Sequence, residues 1–600
     1  MMRAYSPRAL ATFVLVLVLV AVTGWLGVRG LLAQWHLSDA RTGLETARSA
    51  LLDRQLETAG TAVRGAGADT AAARALTGDP VWRLASALPL LGQTFSVARG
   101  LAVAADDVAR QVLPEALSLA EQVDPARLRG PDGVVDLAVL KAATPAARRS
   151  AERADAVSAG IAALPRERVI GPVDSGRQAL TEQTAQLTGA LRGTTQALEL
   201  APTLLGEDRP RRYLLLVQQT GESRGTGGLI GGFVAVEASA GRLSVLARGS
   251  SADLRNGPIP VPPGVPDEFV RLYDQFGAFD IWQNANISPD LPVVARVLAA
   301  RWAAQGGGPL DGVALLDGVA LASILRGSAP LPFGGGRQVR PENLVDYLAV
   351  GQYRDFAPTA ADTGIDRSKA RKDQLQDVAG VAADRLAGGG GDTLALLRGL
   401  TEAVRSGHLR MASDDPALGP ALAAAGVDGA LAQGEAPLAY PVVYNITAGK
   451  LDHFLDRSVT YEAGPCTGAA RRSTITVELR NDVPAEELPP YLTARLVGGR
   501  LIDSRSGGVA LSVYGTRGAS LVRASLDGGP TAPEDPAGVL LVNREEGGLP
   551  FWNLELELPP GQTRKLVLEL TEPVVPGPAR VPEQPLSRPL RQQVRVPSCG

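Results

Sequence analysis

Residues 9–28, ALATFVLVLVLVAVTGWLGV, carry no charge. Twenty helical residues at about 1.5 Å each span about 30 Å, the thickness of a bilayer's hydrocarbon core, so the run predicts a transmembrane helix. Arg3 and Arg8 precede it and make residues 1–8 a cytoplasmic tail, with Arg29 as a weaker opposing charge. A cleaved signal peptide is the competing reading. The run is longer than a usual signal core and no clear A-x-A site follows it, which favours an uncleaved anchor. No second run of this length occurs, so the remaining chain is expected on the far side of the membrane.

Beyond the anchor, residues 29–201 read as helix. LSDARTGLETARSALLDRQLETAGTAVRGA and DSGRQALTEQTAQLTGALRGTTQALELA repeat apolar positions at three- and four-residue steps, the mark of amphipathic helices. No strict heptad persists over four turns, so helix-on-helix packing in a stalk or bundle is expected ahead of a dimerising coiled coil, although self-association through this region stays open. At Pro202 the texture changes. YLLLVQ (213–218) is a short apolar run, and GGFVAVEAS and GRLSVLARG, joined at Ala240-Gly241, read as a hairpin. A Pro-rich loop follows at 256–266. Helical stretches such as PVVARVLAARWAAQ then mix with short strands such as DGVALLD up to about 460. From about 468 the chain alternates apolar and polar residues in short runs, with Gly, Pro and Asp turns every eight to twelve residues, the pattern of an immunoglobulin-like β-sandwich. The whole predicts a multidomain α+β protein: anchor 9–28, helical stalk or bundle 29–201, central α/β domain 202–465, β-sandwich 466–575, and a Pro- and Arg-rich tail 576–600, loosely ordered unless tied down.

Composition adds compartment rather than chemistry. The net charge is −3 and the basic residues are scattered, which argues against nucleic acid as a partner. Only five of the 60 basic residues are lysine, a bias of base composition. The two cysteines, Cys466 and Cys599, both fall in the exported part, and an even count there predicts a disulfide between them.

Candidate chemistry centres on QQTGESRGTGGLIGG (218–232), with six glycines between 221 and 232. A dinucleotide loop requires G-x-G-x-x-G, but counting from Gly225 and Gly227 the third glycine position holds Ile230; a Walker loop requires Gly-Lys-Ser/Thr, and no lysine is near. Two readings remain. The glycines, Gly227 and Gly228 among them, expose amides as an anion nest beside the fork of Arg224; or they permit positive φ and close packing where a strand begins. Arg367, Lys369, Arg371 and Lys372 form the densest cationic cluster, suited to a pyrophosphate or anionic polymer, or else a solvated helix face. His36, His408 and His453 lack zinc spacing. Asp280, Asp290, Asp311 and Asp317 could offer oxygens to Mg²⁺ but read as caps and turns. G-x-S-x-G, S-x-x-K and H-E-x-x-H are absent, so the common hydrolase routes have no support.

Several blocks in order, DPVWRLASALPLLGQTF (79–95), PTLLGEDRPRRYLLLVQQTGESRGTGGLIGG (202–232), NANISPDLPVVA (284–295), DGVALLDGVAL (311–321), PENLVDYL (341–348) and AGKLDHFL (448–455), resemble the bacterial membrane-protein family numbered 4012 among domains of unknown function. That resemblance implies one N-terminal anchor and an exported body in a bacterial cell envelope, and no activity. A second, fold-level resemblance is to the LytR-CpsA-Psr family, anchored transferases that attach glycopolymers to the cell wall from polyprenyl-pyrophosphate carriers. It implies that Arg224, Arg248, Asp253, Arg367 and Arg371 line a pyrophosphate site, with Mg²⁺ as the only cofactor it would introduce. Here the acidic residue expected after the first arginine is Gly225, Arg248 and Asp253 stand five positions apart, and Lys372 replaces the glutamine expected after the last arginine. The first expectation is therefore a structural or interaction protein of the envelope, single-pass in the cell membrane. The alternative is a protein that binds or transfers a lipid-linked cell-wall polymer.

Overall fold

The computed structural model describes residues 7–52, 55–89, 91–123, 128–130, 132–333, 337–357, 365–387, 392–431, 434–497, 500–530 and 541–599. The protein is mixed α+β and forms two compact units, Met1–Leu128 with Asp136–Pro202, and Arg129–Val135 with Thr203–Gly600.

The first unit is helical: α1 (Pro7–Leu52), α2 (Leu56–Thr77), α3 (Pro80–Ala85), α4 (Gly92–Asp107), α5 (Leu113–Gln122), α6 (Leu137–Ala162) and α7 (Gly171–Leu204). The apolar run does not end a helix. It continues unbroken through α1 into the amphipathic segment, and its apolar side chains, Phe13, Leu19 and Trp25 among them, stand exposed. Among the described residues one helix is long and apolar enough to cross a membrane, and it is this one. Its polar boundary is fixed by Asp79, which accepts from Trp25 Nε1 at 2.8 Å, pairs with Arg29 at 3.2 Å and caps α3 through Trp82 N at 2.6 Å.

Further along, α1 and α2 run antiparallel. Ala33, Ala40 and Ala47 are buried on one helix, and Ala59, Ala66 and Ala73 on the other. Both sets repeat every seven residues, about two turns, and alanine lets the backbones approach: a Cβ on Gly43 would lie 3.3 Å from that of Ala66. The seven-residue repeat is thus present. Small residues carry it, so it lacks the apolar stripe by which a heptad is read.

In the second unit, β1 (Arg211–Arg224), β2 (Gly227–Ser239), β3 (Arg242–Ser250), β4 (Gly312–Asp317) and β7 (Leu409–Ala412) form a sheet in the order β3-β2-β1-β4-β7. β1 and β4 are parallel and the other pairs antiparallel. Along β1 the period of two is exact in its consequences. Leu214 and Leu216 enter one core with Phe233 and Trp282, with Phe269 of α8 (Asp267–Tyr273) and with Leu298 and Trp302 of α9 (Leu291–Ala304). Leu215 and Val217 face the opposite side, packed with Leu321 of α10 (Gly318–Ile324) and Ala379 of α11 (Ile365–Ala387). The β2–β3 turn falls at Ala240 (φ 47°) and Gly241 (φ 83°), where the sequence places it.

A small pair, β5 (Leu331–Phe333) and β6 (Arg337–Val339), lies between the helices. The remaining strands build two larger sheets and a further two-stranded pair. β9 (Leu455–Ala463), β10 (Ala470–Asn481), β14 (Ser520–Leu526), β15 (Gly529–Pro530), β18 (Thr563–Pro573) and β19 (Leu590–Arg595) form one sheet. β8 (Ala439–Asn445), β13 (Gly507–Gly515), β16 (Val542–Glu546) and β17 (Leu549–Leu558) form the other, while β11 (Ala494–Val497) pairs with β12 (Arg500–Asp503). Ile475, Val477 and Leu568 of the first sheet meet Leu511, Val513 and Leu554 of the second in one core. The outer side chains Tyr440, Val442, Tyr514 and Phe551 of the four-stranded sheet enter the core of the five-stranded sheet. These layers therefore share apolar surface without a linker. β8 and β9 both precede residue 466, and β9 pairs with β10 along nine positions, so the strand-rich region begins near 439 rather than at the expected boundary.

The Pro- and Arg-rich segment after 575 is a fixed strap rather than a loose tail. β19 pairs in parallel with β9, Arg591 and Arg595 each meet a carboxylate of that strand at 2.6 Å, and Cys599 is joined to Cys466 by a disulfide.

One buried carboxyl group makes stability pH-dependent. Burial pushes Asp290, which precedes α9, up to about 7. A carboxyl group raised in the folded state binds its proton more tightly there than in the unfolded chain, so its contribution is favourable at low pH and is lost as pH rises from about 4 to about 7. Asp290→Asn removes this loss. The variant is expected to gain on the native protein at pH 7.5 relative to pH 5 by roughly 2.5 kcal/mol, read from melting curves at the two pH values.

Candidate functional site

The glycine-rich stretch is the β1–β2 hairpin, and its two strands do not pair evenly. Gln219 opposes Leu229 and Ser223 opposes Gly228, so Thr220, Gly221 and Glu222 bulge out of the ladder. Close approach dictates the glycines that follow. A Cβ at Gly225 would stand 2.1 Å from the Ile287 carbonyl oxygen, and one at Gly228 would stand 2.4 Å from the Gln219 backbone; Gly227 has φ 131°. Side chains stitch the loop from both sides. Gln218 and Asn286 both donate to Thr226 Oγ1 and to the Gly228 carbonyl, and Arg410 donates to the Thr226 carbonyl.

Ser223 and Arg224 continue this pattern. Ser223 donates its amide (2.8 Å) and hydroxyl (2.7 Å) to Oδ2 of the buried Asp452, whose other oxygen accepts from Asn445 at 3.1 Å. Burial pushes the Asp452 carboxyl up, against these donors and the charge of Arg224. Arg224 is partly buried and donates to the carbonyls of Ser223, Gln283 and Asn445 at 2.9–3.4 Å. Gln584 of the strap donates to the Arg224 carbonyl at 2.7 Å and exchanges two bonds with Val443. The hairpin is thus the place where the five-stranded sheet, β8 and the strap are fastened together.

The bulge presents a second polar group. Buried Glu222 forms an ion pair with Lys450, whose ammonium also sits 5.3 Å from the centre of the Tyr491 ring; burial pushes that lysine down to about 8. Tyr491 stacks on Tyr353 at 5.4 Å with 17° between the planes, and Arg371 of α11 lies 4.6 Å from the Tyr353 ring centre and 5.5 Å from that of Tyr491. Gln219 donates to the Leu348 carbonyl at 3.0 Å and to the Tyr353 hydroxyl at 3.3 Å.

The residues singled out from sequence are distributed as follows. Gly227 pairs with Arg224 in the hairpin, and Gly228 with Ser223. Arg248, on β3, lies against α11, where a Cβ at Gly380 would meet its guanidinium at 2.2 Å. Asp253 closes the turn after β3 by accepting from the Ser250 amide and hydroxyl. Arg371 joins the tyrosine pair, and its contacts share no residue with those of Arg224. The side chain of Arg367 lies outside the described residues. Asp317 caps α10 and bonds His408 at 2.5 Å, while Asp311 pairs with Arg209. Among the described residues no three His, Cys, Asp or Glu side chains gather to hold a metal ion.

Glu222, Lys450, Tyr353 and Tyr491 were not singled out from the sequence. The acidic residue sought just after Arg224 stands two positions before it, in GESR, and Lys450 lies in the AGKLDHFL block.

No curated protein and no solved structure matches the chain. The segment that runs from the start of β1 through the bulged hairpin, α9, β4 and α10 to Tyr353 does match a family model: residues 208–353 match the family described as Protein of unknown function (DUF4012).

Proposed function

We propose that this is a membrane-anchored, extracytoplasmic structural or interaction protein of the bacterial envelope. The observation that carries the reading is the state of the glycine-rich hairpin. Its donors are engaged by the protein's own acceptors, the Ser223 amide by Asp452, the Thr226 amide by the Asn286 carbonyl and the Arg224 guanidinium by three carbonyls, which supports a junction between sheets rather than a cradle for phosphate. The exposed apolar helix and the disulfide support the compartment. An externally active reporter fused after Gly600 is expected to be active, and activity only of a cytoplasmic reporter there would overturn the topology.

The alternative, LytR-CpsA-Psr-like binding or transfer of a polyprenyl-(pyro)phosphate-linked polymer, requires Arg224 to leave its three carbonyls for a ligand. One substitution separates the two readings. Under the structural reading, Arg224→Ala costs about 2–3 kcal/mol, since charge-assisted bonds are lost and buried carbonyls are left without donors. Geranylgeranyl pyrophosphate then binds neither the native protein nor the variant. Binding to the native chain that Arg224→Ala weakens tenfold, with the melting temperature unchanged, would establish the alternative instead.

A further inference from the structure

The tyrosine pair and Arg371 make up a group that the junction does not account for. Arg371 is buried, yet its hydrogen bond goes to a neutral acceptor, Gln352 Oε1 at 3.4 Å, and among the described residues no carboxylate pairs with it. A buried guanidinium is ordinarily matched by an anion, and its planar fork suits a carboxylate or phosphate held through two parallel bonds. The neighbouring lysine does not alter this balance, because Glu222 already neutralises Lys450. Among the described residues the cluster therefore holds one positive charge in excess.

Shape adds a second requirement. Tyr491 is half exposed although its ring rests on the buried Tyr353. A fixed, solvent-facing aromatic ring beside a cation offers an apolar surface to the C–H face of a flat-lying ring, while the cation takes a charged substituent. The placement is also that of a ligand site. Glu222 and Gln219 come from β1 just beyond Gln218, where the parallel pairing with β4 ends at Asp317. Tyr353, Arg371, Lys450 and Tyr491 arrive from four separate segments. Ligands collect outside the carboxyl ends of parallel strands, where no further backbone fills the space.

We infer that Arg371 and Tyr491, backed by Tyr353 and Lys450, bind a sugar ring that carries one anionic group, either a sugar acid or a sugar phosphate. This goes beyond the junction described above and does not depend on it, because Arg224 takes no part.

The test is titration calorimetry on the full chain in detergent, with glucuronate, glucose 1-phosphate, glucose and inorganic phosphate as separate probes. Either anionic sugar is expected to bind at least tenfold more tightly than glucose and than inorganic phosphate; which of the two binds tells carboxylate from phosphate. Arg371→Gln and Tyr491→Ala should each weaken that binding at least tenfold. Tyr491 is exposed, so its variant reports on the site even if the arginine variant does not fold. Binding of inorganic phosphate as tight as that of the sugar phosphate would remove the ring from the site. No binding of either anionic sugar at tens of millimolar, or binding untouched by Tyr491→Ala, would overturn the inference.

Discussion

Glu572→Ala is expected to destabilise the second unit by about 3–5 kcal/mol, the loss typical of breaking a buried ion pair from one side. Glu572 is fully buried and lies opposite Arg471 in the β10–β18 ladder, with Nε to Oε1 at 2.9 Å. Its other oxygen accepts from the Tyr461 hydroxyl at 2.6 Å and from Thr516 at 2.9 Å. Truncation leaves one guanidinium and two hydroxyls in the interior without their acceptor. Arg471 keeps only the Pro597 carbonyl, at 3.1 Å, and the disulfide sulfurs. Denaturant unfolding of the native protein and the variant provides the measurement. A change below about 1 kcal/mol would mean that the pair is hydrated in solution. The paired replacement Arg471→Met with Glu572→Leu is expected to recover part of the loss, because no charge then remains buried.

Removing the Cys466–Cys599 bridge by serine substitution should have an effect of similar size. The cysteines lie 133 positions apart. Closing a loop of that length restricts the unfolded chain by roughly 5 kcal/mol in the chain-entropy account, before any change in the folded state. The loss should appear as a lower denaturation midpoint in the double serine variant, and in the native protein under reducing conditions. Thiol labelling of unreduced, denatured protein should find no reactive thiol, and finding two would refute the bridge. The two predictions are coupled through Arg471, which touches both the carboxylate and the sulfurs, so a combined variant is not expected to show the simple sum.

Features governed by local pattern were legible in the sequence. The apolar helix, the amphipathic helices, the turn at Ala240-Gly241 and the disulfide pairing were read from runs, periods, turn chemistry and cysteine count. Elements that owe their place to distant partners were not. β8 contains Pro441, which argues against a strand, but β8 is an edge strand of its sheet, where a missing donor breaks no ladder between strands. The alanine repeat of α1 and α2 carries little apolar contrast along either helix. The cluster around Glu222 depends on a three-residue bulge in β1, and nothing in GESR records that Ser223 rather than Gly221 resumes the pairing. Lys450, Tyr353 and Tyr491 converge on it only because three other segments fold over that bulge.

The strap has a consequence for biogenesis. In the proposed topology the chain is threaded outward from its anchor, so residues 584–599 emerge long after the β1–β2 hairpin. Yet Gln584 bonds the backbone at Arg224 and Val443, β19 completes the edge beside β9, and Cys599 supplies the partner of Cys466. The β1–β2 hairpin therefore leaves the translocation channel hundreds of residues ahead of the group that closes it. During that interval the edge of β9 is unpaired and Cys466 is a free thiol, which makes the nascent chain a client for a holding chaperone and for a thiol oxidase acting late in export. In that topology, deletion of this strap is expected to yield a protein degraded in the envelope, although every strand of the two sheets except β19 lies upstream of it.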